Sequence, residues 1–179
     1  MLDEEFIPIA IRELERLKGL ADRAISQLPA DRLFEIPGDG DNSVAVIMKH
    51  VGGNMCSRWR DFLTSDGEKP DRRRDLEFVI APDDSRDAVL ARWNEGWAVL
   101  FAALAPLRPQ DLGRTVTIRR EPLTALQAIS RQLTHYAYHV GQIVYLAKHF
   151  AGARWKTLSI PPGGSEPFNE APKKYIGNA

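Results

Sequence analysis

The chain has 179 residues, 44% hydrophobic and 27% charged, with 24 Lys+Arg balanced by 24 Asp+Glu. That length fits one domain at roughly 150 residues each, and the zero formal charge removes any overall pull toward nucleic acid or an anionic lipid surface. The single cysteine, Cys56, excludes a disulfide framework and a CxxC zinc site and suits a reducing, cytoplasmic setting, while the acidic opening Met1-Leu2-Asp3-Glu4-Glu5 lacks the basic start of a signal peptide.

Four long helical stretches account for most of the sequence, so the expected class is all-α. The first runs from about Glu4 to Leu28, with Ile7, Ile11, Leu14, Ala21, Ile25 and Leu28 at three- and four-residue steps. Pro29 and Ile36-Pro37-Gly38-Asp39-Gly40 end it. The second begins at Asn42 or Ser43, both good N-caps, and reaches about Leu63 on a stripe of Val44, Ile47, Val51, Met55 and Phe62. A charged connection from Glu68 to Glu77 follows. Its arginines, Arg72 to Arg74, are interleaved with Asp71, Asp75 and Glu77, which reads as a solvated loop rather than a nucleic-acid patch.

The third helix is expected to start at Asp83 or Asp84, whose carboxylates favour a helix N-terminus, and to continue through Val89, Trp93, Trp97, Leu100 and Leu104 to Pro106. Thr115-Val116-Thr117-Ile118 alternates like a short strand, one arm of a small hairpin. The fourth helix opens at Pro122, a residue type tolerated in a first turn, and runs to about Ala151. Between Leu123 and Ala147 its only formal charge is Arg131, which predicts enclosure on most sides. Thr124, Gln127, Gln132, His135, His139 and Gln142 argue against a membrane span. A central helix of a bundle is the simpler reading. The segment from Trp155 to Ala179, rich in Pro and Gly, reads as an ordered tail on that bundle. The whole is one domain, with a core over 3–152 and a loop-rich tail over 153–179.

The four histidines stand at 50, 135, 139 and 149. His135 and His139 lie four apart, roughly 40° around the fourth helix from one another, and share a stripe with Ala128, Gln132, Gln142 and Leu146. Leu126, Leu133, Val140 and Val144 take the other side. An i, i+4 histidine pair is by itself more often structural than ligating. Here each enclosed imidazole needs partners, and no carboxylate shares the stripe to receive their protons. A divalent ion would satisfy both rings. His50 is the best third ligand, although it sits roughly 120° from the centre of its helix's apolar stripe and so lines a seam between helices, where Gly52 and Gly53 admit a close neighbour. His149, near the end of the fourth helix, reads as structural. Three imidazoles with an open position suit zinc, nickel or iron(II) and Lewis-acid chemistry. His-Glu-x-x-His, a P-loop and a Gly-x-Ser-x-Gly elbow are all absent, and Cys56 reads as a packing residue.

Three stretches resemble a known superfamily: Met48-Lys49-His50-Val51-Gly52-Gly53-Asn54-Met55, Thr134-His135-Tyr136-Ala137-Tyr138-His139-Val140-Gly141-Gln142, and Leu158-Ser159-Ile160-Pro161 with Phe168-Asn169. Together they resemble one bacterial branch of the DinB/YfiT-like superfamily. The resemblance implies a four-helix bundle of up-down-down-up order with a long crossover, commonly a homodimer, and a divalent metal on His50, His135 and His139. It also implies a metal-dependent thiol S-transferase that joins a low-molecular-weight thiol to a small-molecule electrophile. Asn54, Tyr138 and Gln142 are the polar side chains expected nearest the substrate. A hydrolase using bound hydroxide and a non-catalytic bundle acting through association are the alternatives.

Overall fold

The computed structural model describes residues 2–171, and the expected tail is followed only as far as Ala171, its remainder lying outside the described residues. The fold is mostly helical: α1 Leu2–Gln27, α2 Val44–Trp59, α3 Arg86–Leu104, α4 Ala125–Ala151 and a short α5 Ser165–Glu170, with a two-stranded sheet of β1 Thr115–Ile118 and β2 Glu121–Thr124. The long helices enclose one core. α2 packs along α3, α1 along α4, and α2 meets α4 where the histidines lie. No helix among the described residues is long and apolar enough to cross a membrane.

Side-chain caps set the helix starts. Ser43 Oγ accepts from the Val46 amide and Ser85 Oγ from the Ala88 amide. α3 therefore begins at Arg86, after Ser85, and not at Asp83 or Asp84. Asp84 is turned inward instead, where its carboxylate pairs with Lys49 and Arg92 and accepts from the Ala81 amide at 2.8 Å. α2 ends at Trp59, four residues short of Leu63, and Asp61 just beyond takes a positive φ of 52°.

Pro122 does not open the fourth helix. It lies in β2 opposite Thr117, where a two-stranded sheet leaves each residue an unpaired edge and a missing N–H costs little. The cap is Thr124, whose hydroxyl accepts from the Gln127 amide at 3.1 Å while Gln127 Oε1 accepts from the Thr124 amide at 2.9 Å. The hairpin expected around Thr115–Ile118 is present. Arg119 and Arg120 form its turn with φ of 54° and 66°, the left-handed pair that a two-residue hairpin loop requires. Asp66 holds that turn by accepting from the amides of Arg119 at 2.9 Å and Arg120 at 2.8 Å, and its other neighbour is the Glu68 amide at 2.7 Å. Burial pushes its carboxyl up, but these three amides outweigh it and bring the pKa down to about 2.

The segment from Glu68 to Asp84 runs along α2 as a strap; Pro70, Asp71, Arg73, Arg74, Asp75 and Leu76 are exposed, as the solvated-loop expectation has it, while Lys69, Arg72 and Glu77 turn inward. Lys49 Nζ donates to the Val79 carbonyl at 2.5 Å and pairs with Asp84. Ser57 Oγ donates to the Gly67 carbonyl at 2.8 Å and accepts from the Lys69 amide at 3.0 Å. Arg72 is folded inward onto Glu77. Within the stretch, Arg72 and Glu77 satisfy each other against the helix.

Glycine decides the α2–α3 contact. A Cβ on Gly96 would lie 2.9 Å from the Gly52 Cα, and one on Gly52 would lie 2.9 Å from the Arg92 carbonyl oxygen, so the two backbones touch. The fully buried Trp93 and Trp97 fill α3's inner face, edge to face with centroids 5.5 Å apart, and Trp97 reaches Tyr136 of α4 at 6.0 Å.

α4 is less enclosed than its lack of charge implied. Ala125, Ile129, Tyr136, Val140, Ile143 and Ala147 are buried, but Thr134, Tyr138, Gly141 and Tyr145 form an exposed stripe, with Tyr138 63% and Tyr145 73% exposed. Neutral hydroxyl groups and a bare glycine face water there in place of charges. In the tail, Trp155 and Leu158 pack on the core, and Gln27 bonds both the carbonyl and the amide of Lys156.

Candidate metal centre

α2 contributes His50, and α4 contributes His135 and His139 one turn apart. One ring nitrogen from each lies within 4.8 Å of the others. The rings meet edge to face rather than stacked. Centroids are 5.6 Å apart for His50–His135, 5.0 Å for His50–His139 and 4.7 Å for His135–His139, with interplanar angles of 85°, 69° and 88°. His135 Nε2 and His139 Nε2 are 3.2 Å apart. Two nitrogens bound to one tetrahedral zinc at about 2.0–2.1 Å sit roughly 3.3–3.4 Å apart, so this spacing needs little adjustment to admit an ion.

Each of two rings is oriented through its other nitrogen. His50 Nδ1 donates to Glu77 Oε2 at 2.8 Å, and Arg72 clamps the same carboxylate with Nε and Nη2 at 2.8 and 2.9 Å. His139 Nδ1 donates to Gln142 Oε1 at 2.7 Å. Carboxylate or amide oxygens on Nδ1 fix the tautomer that leaves Nε2 with a lone pair, the arrangement common behind metal-binding histidines. His135 Nδ1 is buried without a partner among the described residues.

The electrostatics keep the pair on α4 neutral. Burial, then the neighbouring His139 and His50, pull His135 down to about 3. Burial also lowers His139, against a partial opposing effect of its bond to Gln142. The Glu77 carboxyl is pushed up by burial, but hydrogen bonds from His50 and Arg72 and the Arg72 charge hold it below the usual range. Neutral imidazoles beside an ionised carboxylate are the protonation states a cation needs.

The three polar side chains expected near a substrate have different surroundings. Gln142 holds His139, as above. Tyr138 is exposed, its ring 4.9 Å from that of His139. Asn54 is buried, and its Oδ1 accepts from the Tyr136 hydroxyl at 3.0 Å, which in turn accepts from Trp59 Nε1 at 2.9 Å. That internal chain already occupies it. His149 is exposed near the end of α4, outside the cluster. Cys56 is a half-buried free thiol, its pKa raised by burial, and lines a cleft on another face of α2.

Glu77 and Arg72 are the residues that sequence reasoning missed. Two signals pointed to them. Glu77 sits within Leu76, Phe78, Val79 and Ile80, a poor composition for a free loop, and the Gly52-Gly53 pair follows His50 directly. A Cβ on Gly53 would overlap the Glu77 carboxylate, so that glycine makes the space for the carboxylate behind His50. Phe78 also covers His50, with centroids 5.0 Å apart.

No curated protein matches the chain, and no solved structure does. The sequence pattern of a family described as a protein of unknown function, DUF1572, matches residues 2–164. The match covers almost the whole chain, including all three clustered histidines and Glu77, and the chain belongs to the DUF1572 family.

Proposed function

We propose that this protein is a divalent-metal-dependent enzyme in which His50, His135 and His139 hold the ion and an open position receives a small molecule. The observation that carries the reading is the convergence of three ring nitrogens within 4.8 Å, two of them on histidines predisposed to neutrality by burial. Bound zinc, nickel or iron(II) would supply Lewis acidity, lowering the pKa of a thiol or water at the open position. The chain's own part is to present the rings. Glu77 and Gln142 fix two of them, and Arg72 keeps the Glu77 carboxylate ionised and in place.

Within that class, the reading is a thiol S-transferase that takes a low-molecular-weight thiol and a small electrophile. It rests on the resemblance to the DinB/YfiT-like superfamily, as does the up-down-down-up bundle order. Elemental analysis of protein purified without an affinity tag is the test. About one equivalent of metal, or its uptake on reconstitution, is expected. Metal below a tenth of an equivalent with no uptake ends the reading. A turnover screen with and without added thiols then separates transfer from hydrolysis.

A second reading is association rather than catalysis. It draws on Leu76, Phe78, Val79 and Ile80, exposed side by side next to the histidines, and on the uncharged stripe of Tyr138 and Tyr145. A homodimer through these faces would appear in sedimentation equilibrium and would be lost on Val79→Glu, with metal content unchanged.

A further inference from the structure

Beside the histidine cluster, Lys49, Gly52 and Cys56 of α2, with Arg60 just past its end, form one wall of a cleft of about 480 Å3, and the strapped segment and α3 form the others. Six of its lining residues are cations and three are carboxylates. Most of these charges answer each other: Arg60 Nη2 donates to Asp71 at 2.6 Å, Arg72 clamps Glu77, and Lys49 and Arg92 share Asp84.

Lys69 is different. It is 7% exposed, and its Nζ donates to the Asp66 carbonyl at 2.6 Å, but no carboxylate among the described residues comes within ion-pair distance. Asp66, the near acid, is engaged by three backbone amides. Burial, and after it the positive charge of Arg60, lowers the Lys69 pKa against the partial opposing effects of Asp61 and Asp66. A buried cation with one neutral acceptor has two of its three N–H donors without a hydrogen-bond partner among the described residues, and the residue lines the cleft. Arg73, on the same lining, has no ion pair among the described residues either. Glu95 is the lining carboxylate without an ion-pair partner among the described residues, and its charge acts on Cys56.

We propose that this cleft binds a small acidic ligand whose phosphate or carboxylate group sits on the Lys69 ammonium, with Arg60 and Arg73 supplying further N–H donors. Anionic oxygens complete the lysine's hydrogen bonds and supply the missing charge in one step. The cleft adjoins the histidine cluster through Arg72 and Glu77, but the anion site itself uses Lys69, Arg60 and Arg73 and none of the histidines.

The experiment uses the full chain at low ionic strength, with inorganic phosphate and malonate as probes. Cys56 is the only cysteine and lines the same cleft, so its alkylation by iodoacetamide reports occupancy directly. Saturable binding of at least one probe, with slowed alkylation, is expected. Lys69→Met weakens it by at least about tenfold, and Arg73→Gln, at an exposed position, weakens it without threatening the fold. Phosphate alone protecting Cys56 points to a phosphorylated ligand, and malonate alone to a carboxylate. No protection by either probe, or equal protection in wild type and both variants, overturns the proposal.

Discussion

Glu77 accepts the Nδ1 proton of His50 at 2.8 Å across 27 residues of sequence, and that one bond ties the strapped segment to the candidate metal centre. A carboxylate on Nδ1 makes the opposite nitrogen more basic and stops the ring from turning. Glu77→Gln keeps an acceptor of the same shape but removes the charge. Zinc affinity is expected to fall by about 10–100-fold in competition against a chelating dye, with far-UV circular dichroism unchanged. Wild-type affinity in the variant would show that the contact only ties down the loop.

Metal-free protein carries a pH signature of its own. Burial lowers His135 to about 3 and also lowers His139, both from a starting value of 6.5. As pH falls below 6.5 the unfolded chain takes up these protons first, so the folded state loses ground. The stabilisation is therefore complete above about 6.5 and is lost on the way down toward 3, with a slope of at most about 1.4 kcal/mol per pH unit for each histidine. Glu77 and Asp84, with ordinary values of 4.5 and 3.8 and folded values lower still, join in only once the pH falls to about those ordinary values. Urea midpoints of stripped protein between pH 8 and 5 isolate the histidines. Wild type should weaken across this range and His135→Gln should weaken less; parallel curves would refute the assignment.

The helices and the pairing of His135 with His139 were legible in the sequence because both follow from local periodicity, whereas periodicity alone does not bring His50 to that pair. Leu14, Ala21, Ile25 and Leu28 are buried on the face that their spacing indicated, and a four-residue step places His135 and His139 on one side of any helix. What escaped was non-local. Asp84 has the composition of a helix start but is drawn inward by Lys49, 35 residues away. Pro122 fits a first helical turn as well as an edge strand, and the partner that decided between them was Thr117. The charged connection is solvated over most of its length, but the inward turn of Arg72 and Glu77 leaves no trace in the order of residues. Absence of charge on α4 does not distinguish burial from an uncharged surface, and Tyr138 and Tyr145 face water without it.

Two helical glycines should respond oppositely to alanine. Gly141 faces open space on the exposed stripe of α4, with nothing within 4 Å of an added Cβ. Gly141→Ala should stabilise by about 1 kcal/mol through helix propensity alone. Gly96→Ala gains the same propensity but drives its methyl into the Gly52 backbone, which has no flexible end to move aside. A loss of about 1–3 kcal/mol is expected there. Denaturant unfolding of the pair measures both, and a stabilised Gly96→Ala would mean that α2 and α3 do not touch as described.

The hairpin turn offers a gain as well. Arg120 holds φ of 66°, a conformation that costs an ordinary L-residue about 1–2 kcal/mol. Its amide, not its side chain, makes the bond to Asp66 at 2.8 Å, so Arg120→Gly keeps that contact and removes the backbone penalty. Glycine's greater freedom in the unfolded chain offsets about 0.5–1 kcal/mol of the benefit. The net should be a stabilisation of about 0.5–1 kcal/mol, read as a shift in the urea midpoint at unchanged slope. Asp66→Ala removes the acceptor for three amides at once and should cost about 1–3 kcal/mol, with the turn amides of 119 and 120 exchanging faster with solvent. If Arg120→Gly destabilised while Asp66→Ala were neutral, the turn would be held by something other than its backbone geometry and its aspartate.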